Sequence, residues 1–202
     1  MRALFLTVES RILPTFFSFL QAGFSLEARV GCCVREFLRD QCGLADQTIA
    51  DRIRTVFLDG MPVDDLDRAK VEDNSTLALS GAMPGLVGAV MRSNSPLRSF
   101  RASITHGADT GSIQQSQQQQ QGMVRVKLFN TVMSELGPNF LREGILLEPL
   151  VLKELFAKQA ESGWSGFREI MLDDDPIDFA RLLDEDLLSG SGLVSLTVRT
   201  FE

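Results

Sequence analysis

Val124, Val126 and Leu128 alternate with Arg125 and Lys127, the period-two pattern of a half-buried strand. Leu4, Leu6 and Val8 repeat it near the N-terminus. After each comes a proline, Pro14 and Pro138, which predicts a turn. Apolar stretches around Phe24–Ala28 and Ile145–Glu148 predict second strands, with Gly23 and Gly144 suited to tight hairpins. Val30, Val34, Phe37 and Leu38 then fall at i, i+4, i+7 and i+8, one face of a helix. Val151, Leu152, Leu155 and Phe156 mark the matching face further on. Loops ending near Gly43 and Gly163–Gly166 lead to third strands, Thr55–Leu58 and Glu169–Leu172. Each enters a turn with a shared Asp-x-x-Pro, Asp59 to Pro62 and Asp173 to Pro176. Last strands follow at Leu77–Leu79 and at Val194, Leu196 and Val198, with Ser195, Thr197 and Arg199 pointing outward.

The same order of elements twice over reflects a repeat in the letters. FLREGILLE (140–148) echoes FLQAGFSLE (19–27), REIMLDDDPIDF (168–179) echoes RTVFLDGMPVDD (54–65), and SGLVSLT (191–197) echoes NSTLALS (74–80). The chain is therefore expected to hold two related units of the α+β class, each a mixed sheet of four or more strands covered by one helix. The expected boundaries are 1–89 and 122–202, joined by 90–121. That joining segment ends in QQSQQQQQ, whose polarity cannot bury enough apolar area to offset ordering, so it is expected to be flexible.

Charge and composition narrow the picture. The net charge of −7 divides as −3 over 1–89, +2 over 90–121 and −6 over 122–202. An acidic surface disfavours non-specific nucleic-acid binding. No stretch approaches the length of a membrane span. The apolar run in MRALFLTVESR is too short for a signal peptide and reads as a first strand, so a cytoplasmic location is the default expectation. Three cysteines, Cys32, Cys33 and Cys42, suit reduced thiols rather than a disulfide framework.

The order of elements, with VFLDGMPV (56–63), DDLDRAKVEDNSTLAL (64–79) and SGAMPGLVG (80–88), resembles the β-grasp (ubiquitin-like) fold. Within it the first copy is most similar to the small sulfur carriers of molybdopterin and thiamine synthesis. Asp59-Gly60 with Val63 matches one phrase of that family, and Glu72-Asp73-Asn74-Ser75 with Leu77 and Leu79 loosely matches a second. The resemblance implies two β-grasp domains, the first bearing a carrier-like tail. A carrier, however, works through a free C-terminal glycine. Here Gly85-Leu86-Val87-Gly88 continues into Ala89, and the second copy stops at Arg199-Thr200-Phe201-Glu202 with no such tail.

Catalytic chemistry is poorly provided for. The one histidine, His106, falls in the joining segment, where a general base would lack preorganisation. Cys32, Cys33 and Cys42 lack metal-ligand spacing; Cys33 is expected in the core, and Cys32 and Cys42 nearer the surface. Asp173, Asp174, Asp175 and Asp178, like Asp64, Asp65 and Asp67, could attract a hard cation, but read more simply as solvated turns. Arg92, Arg98 and Arg101 with Phe100 form a basic run that could touch nucleic acid or an acidic protein. Gly81, Gly85 and Gly88 match neither a dinucleotide fingerprint nor a P-loop.

These features point to a non-catalytic adaptor for protein partners, without metal, cofactor, nucleic acid or membrane. An accessory sulfur-carrier-like role is the alternative. The expected contact segment is Met83, Pro84, Gly85, Leu86, Val87 and Gly88, with Met83, Leu86 and Val87 buried by a partner or by the chain itself.

Overall fold

The computed structural model describes residues 1–93, 95–97, 99–101, 105, 120–161, 163–184 and 192–202. The strands are β1 (Arg2–Glu9), β2 (Phe24–Val30), β3 (Thr55–Leu58), β4 (Met61–Pro62), β5 (Thr76–Ser80), β6 (Gln120–Phe129), β7 (Ile145–Leu147), β8 (Phe167–Leu172), β9 (Asp175–Pro176) and β10 (Val194–Phe201). The α-helices are α1 (Phe17–Ala22), α2 (Val34–Glu36), α3 (Asp46–Arg52), α4 (Gly85–Met91), α5 (Asn130–Glu143) and α6 (Pro149–Glu161). A 3-10 turn, Ser10–Phe16, leads into α1, and a π turn, Phe37–Gln41, continues α2. The class is α+β with mixed parallel and antiparallel pairing. Among the described residues no helix is long and apolar enough to cross a membrane.

The expected hairpins between first and second strands do not form. Helices stand there instead, Ser10–Ala22 in one copy and α5 in the other, with Pro14 and Pro138 inside them. The apolar spacing explains this outcome. Phe16, Phe19 and Leu20 are buried, as are Val132, Leu136 and Phe140, and both sets recur at helical intervals. Gly23 and Gly144, with φ of +111° and +104°, end these helices rather than turning a hairpin. A Cβ at Gly23 would lie 2.6 Å from Arg125 Nε.

The chain forms two compact units that draw on both copies. Leu20–Glu135 makes a continuous unit, while Met1–Phe19 and Leu136–Glu202 make a bipartite one. In the continuous unit β2 pairs antiparallel with β6, β6 parallel with β5, β5 antiparallel with β3, and β3 antiparallel with β4. β6 begins at Gln120, opposite Val30, so the strand takes in the last two residues assigned to the joining segment.

The bipartite unit repeats the pattern with different strands. β7 pairs antiparallel with β10, β10 parallel with β1, β1 antiparallel with β8, and β8 antiparallel with β9. β1, the first strand of the first copy, thus occupies the place that the last strand, β5, holds in the continuous unit. The turns mark this equivalence. Asp59 Oδ1 accepts from Thr76 N of β5 at 2.6 Å, and Asp173 Oδ1 accepts from Ala3 N of β1 at 2.8 Å. Asp59 and Gly60, like Asp173 and Asp174, all have positive φ, the geometry of a two-residue type I′ turn.

Each unit has its own core. Phe24, Val34, Phe37, Leu38, Leu58 and Leu77 are fully buried in the continuous unit. Leu4, Leu6, Phe16, Leu152, Phe156 and Leu196 are fully buried in the bipartite one. There Trp164 lies 5.5 Å from Phe167 edge-on and 5.4 Å from Phe179, closing an aromatic cluster beside Phe156. The alternate face of β1 and β10 carries Phe5 with Arg199 above its ring at 5.4 Å.

Candidate interaction surface

The segment after β5 is a short helix rather than an extended tail. Pro84, with ψ of 161°, stands at its N-cap, and Gly85 enters with φ of +78°. Gly88 is buried against the main chain of Met83, where a Cβ would collide with the carbonyl group. The turn of chain from Met83 to Gly88 is therefore tight, and a glycine is required to close it.

That packing decides where the apolar residues go. Met83 is half-buried, but Leu86 is 74% exposed and Val87 69% exposed. The expectation that the chain itself covers Leu86 and Val87 fails. Phe100 is 79% exposed in the same unit. Apolar side chains this exposed on an ordered segment are costly unless another surface covers them.

The stretch following α4 is pinned to the unit below it. Ser93 N donates to Arg54 O at 3.0 Å and Ser93 Oγ to Val63 O at 3.2 Å. Arg101 returns the chain to α4 with a side chain only 1% exposed. Its Nη2 donates to Asp64 Oδ1 at 2.6 Å and its Nη1 to Asp64 Oδ2 at 3.2 Å, a bidentate pair. The basic run expected from the sequence is thereby broken up. Arg101 is inside, Arg92 is exposed, and Arg98 lies outside the described residues, as does His106.

Beneath this stretch is a cavity of about 480 Å³, lined by Ile49, Ile53, Val56, Leu66, Arg35 and Asp64 among others. The carboxylates near it are engaged within the protein. Asp67 takes Arg35 Nε at 2.7 Å, and that guanidinium holds its carboxyl below the usual carboxylate range. Asp65 Oδ1 accepts from Asp67 N at 3.0 Å. In the other unit Asp173 shapes its turn, and Asp178 Oδ1 caps a 3-10 turn through Ala180 N at 2.9 Å. Of these carboxylates Asp65, Asp173 and Asp178 bond turn or cap amides, while Asp64 and Asp67 pair with arginines.

Two of the three cysteines, Cys32 and Cys33, are placed differently from expectation. Cys33 is half-buried and starts α2 by a reciprocal cap: its Sγ accepts from Glu36 N at 3.4 Å while Glu36 Oε2 accepts from Cys33 N at 3.1 Å. Cys32, expected nearer the surface, is buried. Cys42 is half-buried, and burial pushes its thiol up to about 12, which favours the protonated form. Sequence reasoning missed Arg101 and Asp64 as a pair, since nothing in their 37-residue separation signals it. No protein-family model, curated protein or solved structure matches this chain.

Proposed function

We propose that the chain is a non-catalytic protein-interaction adaptor built from two β-grasp (ubiquitin-like) units, and that α4 is its contact surface. The observation that carries this reading is the exposure of adjacent Leu86 and Val87, 74% and 69%, on a segment held down at both ends. Support for the β-grasp assignment comes from the pairing shared by the two units, a central parallel pair flanked by antiparallel strands. Two such units on one chain would raise the effective concentration for a partner with two sites. The partner is a protein that supplies an apolar groove; the adaptor needs no cofactor and suits the cytoplasm. A carrier role gains nothing from the structure described, because Gly88 is packed inside a helix rather than set at a free end.

A photoreactive residue at position 86 or 87, introduced in the native host, tests the reading. Crosslinking to one discrete protein is expected, with no such adduct from exposed Gln47. Fully burying a Leu or Val side chain is worth about 1.5–3 kcal/mol. Leu86→Asp with Val87→Asp should therefore lower affinity for that protein by at least about tenfold, with melting temperature unchanged. Equal adducts at 47 and 86, or unaltered affinity, would overturn the proposal.

A further inference from the structure

Arg101 is joined to α4 as well as to Asp64. Its Nε donates to Val90 O at 2.7 Å and its Nη2 to Arg92 O at 3.3 Å. Val90 O lies in the last turn of α4, where no intrahelical donor can satisfy it, and Arg92 O, at the C-cap, also accepts from Ser95 N at 3.2 Å. Nη1 also donates to Thr105 Oγ1 at 2.9 Å. Together with the two bonds to Asp64, the five N–H donors of the guanidinium meet five acceptors. A buried cation so completely satisfied is built into the fold, and it sits where the helix dipole favours positive charge.

The length of α4 makes this attachment consequential. Seven residues, two of them glycine, fall well short of the roughly 12–15 an isolated helix needs in water. The outer face of α4 carries Leu86 and Val87 in solvent, so it offers no packing to hold the helix. The helix is held instead by the turn at Met83–Gly88, by the bonds of Ser93 to Arg54 O and Val63 O, and by the cap supplied by Arg101.

We propose that Arg101 is the positioning residue of the docking surface: clamped by Asp64, it caps α4 and thereby holds Leu86 and Val87 outward in helical geometry. This rests on the reading of α4 as that surface. Lysine could not serve, since a point charge cannot reach both carbonyls and both carboxylate oxygens at once. Asp64 also lines the 480 Å³ cavity, so the clamp joins the cavity wall to the exposed face.

Amide hydrogen exchange on the full chain tests the proposal. In Arg101→Gln, the amides from Ala89 to Arg92 should exchange about tenfold faster or more, with those of Val56, Leu58 and Leu77 within about twofold of wild type. Arg101→Lys should not restore the slow rates. Should the single variants leave Asp64 uncompensated and unfold the unit, Arg101→Met combined with Asp64→Leu removes both charges and still removes the cap. Wild-type exchange from Ala89 to Arg92 in a folded variant of either kind would overturn the proposal. Leu86→Asp with Val87→Asp separates it from the functional reading, because that pair should leave exchange unchanged. If it also leaves crosslinked-partner affinity unchanged while Arg101→Gln frees α4, the clamp stands and the docking assignment falls.

Discussion

Gly88 shows how a single hydrogen in place of a methyl group decides the course of a segment. In an ordinary exposed helix, glycine to alanine is stabilising by about 0.8–1 kcal/mol. At Gly88 the added Cβ would run into the main chain of Met83, which cannot swing aside as a side chain would. Overpacking of this kind costs about 1–3 kcal/mol, so the steric term wins and the sign reverses. Gly88→Ala is expected to speed amide exchange from Ala89 to Arg92 and to lower thermal stability, whereas alanine at helical positions elsewhere would do the opposite. A variant with slower exchange there would show that α4 relaxes around the methyl group. The glycine was visible in the sequence, but only as part of a tail-like phrase; that it must face Met83 depends on the helix that forms around it. Arg101 is a similar case. Its charge placed it in a basic run, and only the fold reveals Asp64, a carbonyl of α4 and the carbonyl of its C-cap as partners.

At the scale of elements, the third strands and their turns were the most legible part of the chain. Thr55–Leu58 forms as expected and Glu169–Leu172 lies within β8, because alternation and the Asp-x-x-Pro phrase point to the same geometry. The turns also differ in one informative place. Gly60 has φ of +82°, and its counterpart Asp174 has φ of +69° with a side chain that must tolerate the left-handed region. Asp174→Gly should relieve that strain and stabilise the chain by about 0.5 kcal/mol, a rise in melting temperature of about 1–2 °C. A fall would mean that the entropy of the unfolded glycine outweighs the strain. The segments after the first strands were misread for a physical reason. Proline and glycine at 14, 23, 138 and 144 are turn signals taken singly, but Phe16, Phe19 and Leu20 fall on one helical face, and burial outweighs punctuation.

Those two helices also decide the organisation of the whole molecule. A hairpin would have returned each first strand to its own copy; a helix lets β1 join the bipartite unit and β6 join the continuous one. The repeat could not reveal this, since first and last strands carry similar alternation, and each parallel pair joins the first strand of one copy to the last strand of the other. The consequence is sharp at the level of fragments. Residues 20–135 contain every strand of the continuous unit, whereas residues 1–89 lack β6, the partner of both β2 and β5. The fragment 20–135 should therefore give a cooperative melting transition and dispersed amide resonances, and the fragment 1–89 should give neither. Removing residues 2–9 from the full chain should unfold the bipartite unit instead, because β1 lies between β10 and β8. Leu4, Leu6 and Val8, all 1% exposed or less, contribute about 5–9 kcal/mol by burial, comparable to the entire stability of a small domain. The continuous unit, with none of its strands touched, should keep its own transition in that truncated chain. Cooperative folding of 1–89, or survival of the bipartite unit without β1, would show that each copy closes on its own first strand.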